Sequence, residues 1–536
     1  MIRPLRQRPR ALARAITAII AAVALVGCTG TSTSGGGTPV KGGTVTAALS
    51  GDPQTLDTGL ATGQLSQIPG QNIFEQLFAR DKKFNPQPML AKSFELSKDR
   101  RTYTIPLREG ITFHNGAKLT SADVKASIER WLEISATGQQ VSKDVDALET
   151  PDDLTFVIKL KRPRYSLIAD LAWTVQAAII LPADIAKAAG KSPLKNEQVI
   201  GTGPYKLDSY KAGQRIQLVR FDEYKSLDQD FGGFAGKKTA HADKLVFVFV
   251  ADASQRLNGL KTGQWDWVQE INGDDIDAAK KDSSLTVRAS AVKYSNVLLL
   301  NSDDSSAFAS VDARQAMNTL LDKEEIAKAT FGPSWLWKPL NGALAATSNA
   351  ALYTKAGIES FPGGDPDAAK ALFKKAGVGS KPIRILTSKT YPYMYQWAVA
   401  AQAALKDIGI PSKVSVFDFP TMYERLGTSP GSWDLSVTYL SGMAGSPGQI
   451  PWFGKEQPGS YYRGDYGSTV DTLLAKYQDS TSAEEANGVM GELQTKFYET
   501  MPGVPLGGVS AVGVYSAKLT VPNDFTYVLW SAYKTN

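Results

Sequence analysis

Runs of residues with the length and patterning of β-strands recur along this chain from about residue 41 to its end. The first run is Thr44–Leu49, and the turn-forming Gly51–Pro53 follows it. Apolar and polar residues alternate in Arg101–Leu107 and in Arg215–Val219, as expected for strands with one buried face. Lys244–Val250 is more continuously apolar, which predicts a strand buried on both faces.

Helix signals lie between these strands. Thr120–Leu132 has apolar residues at helical spacing, and Asp123 stands three residues after Thr120 as the acid of a capping box. Further helices are predicted from Asp365 to a stop at Gly377, and over Tyr393–Ile408. Strands and helices that alternate through the whole chain predict an α/β fold with mixed sheets.

The first 27 residues have the features of a secretory signal peptide. Five arginines and no acidic residue precede an apolar run from Ala15 to Val26, which is shorter than the roughly 20 residues of a membrane-spanning helix. Cys28, the only cysteine, follows in a setting that resembles the lipobox of bacterial lipoproteins. That resemblance implies cleavage before Cys28 and acylation there, which would hold the protein on the extracytoplasmic face of the cell membrane. The alternative is a plain secretory signal with an unrelated cysteine.

Removal of this leader changes the charge of the chain. The formal net charge is +6 and the leader carries five arginines, so the remaining 509 residues are nearly neutral. A nearly neutral chain gives no reason to expect a nucleic-acid partner. Residues 28–40 are rich in Gly, Ser and Thr, which predicts a flexible tether between the anchor and the first strand.

The sequence lacks the usual catalytic motifs. It has no H-E-x-x-H, no C-x-x-C and no G-x-S-x-G, and Gly232–Lys237 has the wrong spacing for a phosphate-binding loop. His114 and His241 are the only histidines, and we interpret His114 as a turn residue. We predict a protein without catalytic activity, cofactor or metal, with an extracellular hydrolase that uses two carboxylates as the alternative.

Five segments, in order along the chain, carry the pattern of a known family. They are Asp52–Asp57, Ala91–Val124, Gly201–Tyr224, Leu257–Asn318 and Ile408–Leu435. In residue type and order they resemble the large peptide/nickel-binding family, family 5, of extracytoplasmic solute-binding proteins of ABC importers. The resemblance extends over the chain from about residue 41 onward.

The resemblance implies a two-lobed, periplasmic-binding-protein-like α/β fold with mixed sheets and an extra subdomain in the first lobe. Lobe I is expected over 41–290 with 500–536 returning to it, and lobe II over 291–499. Crossing strands would join the lobes, and a ligand would be enclosed between them. The family also implies a monomer that delivers its ligand to a complex of ABC permease and ATPase. The alternative is a lipoprotein of the same fold that binds a sugar or other non-peptide ligand for sensing, without transport.

The ligand is the least constrained part of this interpretation. Peptide-binding members hold the ligand ammonium with an aspartate in a lobe II loop that ends in an acidic-Pro pair. In the matching loop, Tyr439–Pro447, the aspartate position falls on Met443 and the acidic position on Ser446. Both side chains are neutral, and a buried ammonium without a counter-charge costs several kcal/mol. The ligand is therefore a peptide whose ammonium another carboxylate holds, or else a blocked peptide, a sugar or another polar solute. The carboxylates that could substitute are Asp418, Asp434 and Asp465.

Aromatic side chains are expected to line the ligand site because flat rings stack on sugars and peptide groups. The candidates are Tyr391, Tyr393, Tyr395, Trp397, Trp452 and Phe453. The alternative for each of them is packing in the core. Arg463 and Arg425 are candidates for pairing with a ligand carboxylate, and an ordinary surface position is the alternative for both.

Overall fold

A computed structural model describes residues 39–53, 55–331, 335–338, 344–345, 349, 351–390, 392–441, 445–453 and 468–535. Its strands are β1 Thr44–Leu49, β2 Phe78–Arg80, β3 Pro86–Pro88, β4 Glu95–Leu96, β5 Thr102–Pro106, β6 Val145–Asp152, β7 Thr155–Leu160, β8 Tyr205–Lys211, β9 Arg215–Arg220, β10 Asp230–Gly232, β11 Ala235–Gly236, β12 Lys244–Phe249, β13 Trp267–Gln269, β14 Leu285–Leu300, β15 Trp337–Lys338, β16 Ile383–Ser388, β17 Ser412–Phe417, β18 Leu435–Ser441, β19 Gly503–Ser516, β20 Leu519–Thr520 and β21 Tyr533–Lys534. Its helices are α1 Gln64–Gly70, α2 Ser121–Ile134, α3 Ala136–Ser142, α4 Leu167–Leu171, α5 Ala183–Ala189, α6 Ala253–Lys261, α7 Ile276–Lys281, α8 Val311–Leu320, α9 Lys323–Phe331, α10 Pro366–Lys375, α11 Pro392–Asp407, α12 Phe419–Thr428, α13 Thr469–Asp479 and α14 Ala483–Thr500.

Local signals in the sequence account for several of these boundaries. β1 has the bounds predicted for the first strand. The capping box at the start of α2 is present, and the backbone N–H of Thr120 donates to Asp123 Oδ2 at 2.9 Å. Asp365 caps α10 by accepting a hydrogen bond from the N–H of Ala368, and Gly377 follows the helix with a φ of 71°. These three predictions are confirmed.

The predicted burial of β12 on both faces is only half correct. Leu245 and Phe247 are buried in a large core, whereas Val246 and Val248 are partly exposed. On the side of Val248 the cover is a small cluster around Leu257 and Leu260 of α6, which leaves the strand face incompletely shielded.

One sheet of eleven strands runs through the described structure. Its main path has the order β17-β16-β18-β14-β19-β13-β1-β12-β9-β8, and β15 pairs with β19. We call the part built on β1–β13 and α1–α7 lobe I, and the part built on β15–β18 and α8–α14 lobe II. The long strands β14 and β19 belong to both. The lobe II core draws almost entirely on residues 297–506, and the main lobe I core on residues 45–267 and 515–532.

Lobe I also contains a smaller sheet with its own core. The strands β4-β5-β7-β6 form this antiparallel sheet, and α2 packs its apolar face on it through Val124, Ile128 and Trp131. His114 joins this part to the rest of lobe I. The N–H of Gly201 donates to its Nδ1 at 3.2 Å, and its Nε2 lies 2.9 Å from the carbonyl oxygen of Gly203. Burial lowers the pKa of His114 to about 4, against a smaller opposing effect of the Gly203 carbonyl.

The two shared strands change their partners along their length. β14 pairs with β18 only over Tyr294–Leu300, and β19 pairs with β13 only near Val514. Between these stretches the register of the β14–β19 pair shifts at Ala289/Val292 and at Val292/Tyr294, and it shifts again at Asn296/Val297. Such shifts are β-bulges, which bend and twist a strand pair. The expected lobe boundary at 290/291 falls inside β14, and that at 499/500 falls at the end of α14.

Candidate functional site

Parallel strands in each lobe place loops at one end of the sheet. β1 is parallel to β12 and β13 in lobe I, and β16 is parallel to β17 and β18 in lobe II. Ligands of open α/β sheets bind beyond the carboxyl ends of such strands. The segment that follows β18, described again from Gly445 to Phe453, reaches lobe I and forms the contact that we call the seam. The carboxyl end of α13 also belongs to the seam. The lobe I residues of the seam include Arg80, Arg100, Gln140, Ser166 and Asp170, and its lobe II residues include Gly445, Ser446, Gly448, Gln449, Gln478 and Ser480.

Asp170, at the end of α4, is the centre of the seam. Its side chain is fully buried. Within lobe I, Oδ2 accepts hydrogen bonds from Nε and Nη2 of Arg164, at 3.0 and 2.8 Å, and from the hydroxyl of Ser166 at 2.6 Å. From lobe II, Oδ1 accepts from the hydroxyl of Ser446 at 3.0 Å and from Nε2 of Gln449 at 2.8 Å. One carboxylate therefore joins the two lobes.

Arg80, in β2, lies beside this carboxylate. Its buried guanidinium covers the ring of Trp173 at 4.7 Å and donates from Nη2 to Oε1 of Gln449 at 3.2 Å. Burial lowers the pKa of Arg80 to about 9, and the negative charge of Asp170 opposes that shift. Gly445 passes so close that a Cβ there would overlap Nη2 of Arg80 and lie 2.8 Å from its Cζ.

A second part of the seam lies at the carboxyl end of α13. Arg100 donates to the carbonyl oxygens of Asp479 and Ser480, where unpaired helix carbonyls and the helix dipole favour a cation. The N–H of Ser166 donates to Oε1 of Gln478 at 3.1 Å. The contact at the rim of the seam is weaker. There Nε2 of Gln140 donates to the carbonyl oxygen of Gly448 at the long distance of 3.5 Å.

Asp434 occupies a different environment, at the start of β18. The Arg384 guanidinium donates to both of its carboxylate oxygens, at 2.8 and 2.7 Å, and the N–H groups of Arg384 and Ala307 add two more hydrogen bonds. Burial opposes ionisation of Asp434, but the Arg384 contacts outweigh it and hold its pKa below the ordinary value. The other candidate carboxylate in the described structure, Asp418, caps α12 by accepting from the N–H of Thr421.

The predicted aromatic residues fall into two groups. Trp397 and Tyr393 both lie on α11, with ring centroids 6.4 and 6.3 Å from that of Phe331. Tyr395, on the same helix, lies under the ammonium of Lys389 at 4.4 Å. Trp452 and Phe453 are buried in the lobe II core after the seam segment, where Trp452 contacts Phe497. Arg425 covers the ring of Phe417 at 4.3 Å.

Several predicted positions lie outside the described residues. They are Cys28, Tyr391, Met443, Arg463 and Asp465. Ser446 is described, and it contacts Asp170 of the other lobe. Reasoning from the sequence did not single out Arg80, Asp170 or Gln449, because no local motif marks them.

Some buried polar atoms near the carboxyl ends of the lobe II strands have no hydrogen-bond partner in the part of the chain that the structure describes. They are both side-chain amide atoms of Asn296 in β14, the hydroxyl of Thr387 near the end of β16 and Nε1 of Trp397. Buried polar groups usually have partners, so groups of this kind commonly mark a place where water or a ligand is bound.

A small cavity lies in lobe I beside α1. Its volume is about 40 Å³, enough for roughly three water molecules and too small for a peptide or sugar. Gln71 lines it, with both amide atoms buried and without a partner among the described residues. The buried ion pair of Glu75 and Lys238, 3.1 Å apart, lies on another wall.

Neither a cluster of metal-binding side chains nor a membrane-spanning helix is found in the described part of the chain. No group of three or more His, Cys, Asp and Glu side chains among the described residues is arranged to hold a metal ion. In the same residues no helix is long and apolar enough to cross a membrane.

Comparison with known proteins identifies the family. The profile of the "Bacterial extracellular solute-binding proteins, family 5 Middle" matches residues 85–460. The chain belongs to this family. Family 5 proteins are extracellular solute-binding proteins, so the predictions of a binding protein rather than an enzyme and of a site of action outside the cytoplasm are confirmed.

Individual family 5 proteins are similar to this chain, in sequence or in structure, over most of its length. The "Probable peptide ABC transporter periplasmic-binding protein y4tO" of Sinorhizobium fredii is 29% identical over 487 residues, which are 87% of this chain and 88% of that protein. The oligopeptide-binding protein AppA of Bacillus subtilis, solved with a nonapeptide, has a TM-score of 0.77 and 18% identity over 93% of this chain and 100% of its own. NikA of Brucella suis, solved with Fe(III)-EDTA, has a TM-score of 0.76 and 20% identity over 92% of this chain and 100% of its own. These likenesses confirm the two-lobed fold.

Proposed function

We propose that this protein captures a peptide or a related small polar solute between its lobes and delivers it to the permease and ATPase of an ABC importer. The match of family 5 to residues 85–460 carries the proposal. The Sinorhizobium relative is described as a probable peptide ABC transporter periplasmic-binding protein, and this supports the assignment to an importer. Lobe I would comprise 41–290 with 500–536, and lobe II 291–499. The protein would act as a monomer.

The neutral ligand loop favours a solute without a free ammonium. Met443 and Ser446 stand where peptide-binding members carry acids, and the hydroxyl of Ser446 is committed to Asp170. Asp434 is already neutralised by Arg384, so a ligand ammonium there would compete with a bidentate ion pair. Because the solved relatives hold ligands as different as a nonapeptide and a metal chelate, blocked peptides, sugars and chelates are the first candidates.

Thermal denaturation in the presence of solute panels tests this proposal. A solute at 100 times its dissociation constant adds about 2.7 kcal/mol to the stability of the folded state, which raises the midpoint by a degree or more. We expect such a rise with one of four panels: free di- to pentapeptides, blocked peptides, oligosaccharides and metal chelates. Met443→Asp is the matched variant, and it should improve the binding of free peptides. Strong stabilisation by free peptides with no effect of Met443→Asp would show that the ammonium is held elsewhere.

We further propose that Cys28 is acylated and anchors the protein on the extracytoplasmic face of the membrane through the tether 28–40. Two or more acyl chains hold a protein on a membrane stably, whereas one gives only marginal binding. Mass analysis of the N-terminal peptide should show Cys28 as the first residue with acyl chains attached. An unmodified cysteine, or a cut at another residue, would contradict the anchor and leave solute capture unaffected.

A further inference from the structure

The two oxygens of the Asp170 carboxylate have separate partners. Oδ2 is satisfied inside lobe I by Arg164 and Ser166, and these bonds need no contact with lobe II. Among the described residues, the hydrogen bonds to Oδ1 come only from Ser446 and Gln449 of lobe II. When the lobes part, Oδ1 therefore loses both partners while the anchoring of Asp170 within lobe I remains intact.

The amide of Gln449 has its orientation set by the same carboxylate. An ionised carboxylate only accepts hydrogen bonds, so the amide must turn its Nε2 toward Asp170. Its Oε1 then faces the N–H of Gly445 at 2.7 Å and Nη2 of Arg80 at 3.2 Å. One side chain thus ties the start of the segment after β18 to two charged groups of lobe I. In the sequence, Gly445 stands two residues after Met443, the predicted ligand position.

We propose that Asp170 is a positioning residue that favours the closed arrangement of the lobes by holding the lobe II segment Gly445–Phe453 against lobe I. This inference rests on the proposed function, because it assumes that a solute is enclosed between the lobes. A hydrogen bond to a charged group is about twice as strong as a neutral one and contributes at least about 1.5 kcal/mol. Loss of one such bond should therefore shift the equilibrium between open and closed forms about ten-fold. Arg164 and Arg80 are the charged groups that face Asp170, and both stay in lobe I when the lobes part.

The test measures the distance between the lobes without any solute. Cys28 is the only cysteine, so the full chain carrying Cys28→Ser accepts two labels, at Gln139→Cys on α3 and Thr472→Cys on α13. Both positions are exposed, and their helices lie at the seam. Energy transfer or spin-label distances then give the ratio of open to closed molecules.

Ser446→Ala and Gln449→Ala should each raise the open-to-closed ratio about ten-fold. The matched control is Gln140→Ala, which removes the long rim contact with Gly448 and should change the ratio less than two-fold. The proposal is overturned if both lobe II variants behave like the control. It is also overturned if Ser446→Ala, which deletes one oxygen, unfolds the protein, because the bond would then support the fold instead of the closed form. Failure of the solute panels would leave this result unchanged, so the two proposals fail separately.

Discussion

Acidification should destabilise this protein through His114. Its Nδ1 accepts the N–H of Gly201 and its Nε2 faces the carbonyl of Gly203, so the neutral ring with a proton on Nε2 fits the site. Protonation of Nδ1 breaks the bond to Gly201 and sets two N–H groups against each other. Because the folded pKa is about 4 and an exposed histidine titrates near 6.5, the unfolded chain takes up the proton first as the pH falls.

The stabilisation by neutral His114 is thus fully present above pH 6.5 and is lost between pH 6.5 and pH 4. The loss amounts to about 1 kcal/mol at pH 5.5 and about 2 to 3 kcal/mol at pH 4.5, because one unit of pKa difference corresponds to about 1.4 kcal/mol. Urea unfolding followed by tryptophan fluorescence at pH 7.5, 5.5 and 4.5 measures it.

His114→Gln keeps a hydrogen-bond acceptor and a donor without a titrating ring. As the pH falls, the variant should therefore lose less free energy of unfolding than the wild type, and the differences should equal the losses given above. His241→Gln, which removes the only other histidine, shows what that ring contributes. If wild type and His114→Gln lose stability in parallel from pH 7.5 to 4.5, the assignment of the pH dependence to His114 is wrong.

Three further substitutions follow from the packing. Gly445→Ala should raise the open-to-closed ratio of the labelled protein, because its Cβ would overlap Arg80; an unchanged ratio would show that the segment can move aside without parting the lobes. Gln71→Met should increase the free energy of unfolding by about 1 kcal/mol, because it removes a buried amide without a partner; a loss of stability in urea would contradict this. Arg384→Met should lower that free energy by about 1 to 2 kcal/mol in thermal or urea unfolding, because Asp434 loses the partly exposed cation that donates to both its oxygens but keeps two backbone N–H donors; a change below about 0.5 kcal/mol would refute it.

Elements with local signals could be predicted from the sequence, and contacts between distant segments could not. β1 and the capped start of α2 depend on residues a few positions apart, which a reading of the chain can evaluate directly. The bond between Ser446 and Asp170 joins residues 276 positions apart, and nothing in either neighbourhood marks the other. Burial of β12 was overestimated because an apolar run does not reveal how large the neighbouring layer is.

The candidate site was predicted less completely, because the sequence does not show which charged side chains become buried. The resemblance pointed to the loop before Pro447, and Ser446 of that loop does lie between the lobes. Arg80 has the sequence appearance of an ordinary strand residue, and only the fold shows that it is buried against Trp173.

The register shifts in the β14–β19 pair have a consequence for how this protein can vary. Side chains alternate between the two faces of a strand, so one added or removed residue reverses every face beyond it. An insertion in β14 that no bulge took up would therefore exchange the faces of Val297 to Leu300, which belong to the lobe II core. A β-bulge takes up an extra residue without such an exchange, so the bulged stretch from Ala289 to Tyr294 is where natural variants can differ in residue number while both cores keep their residues.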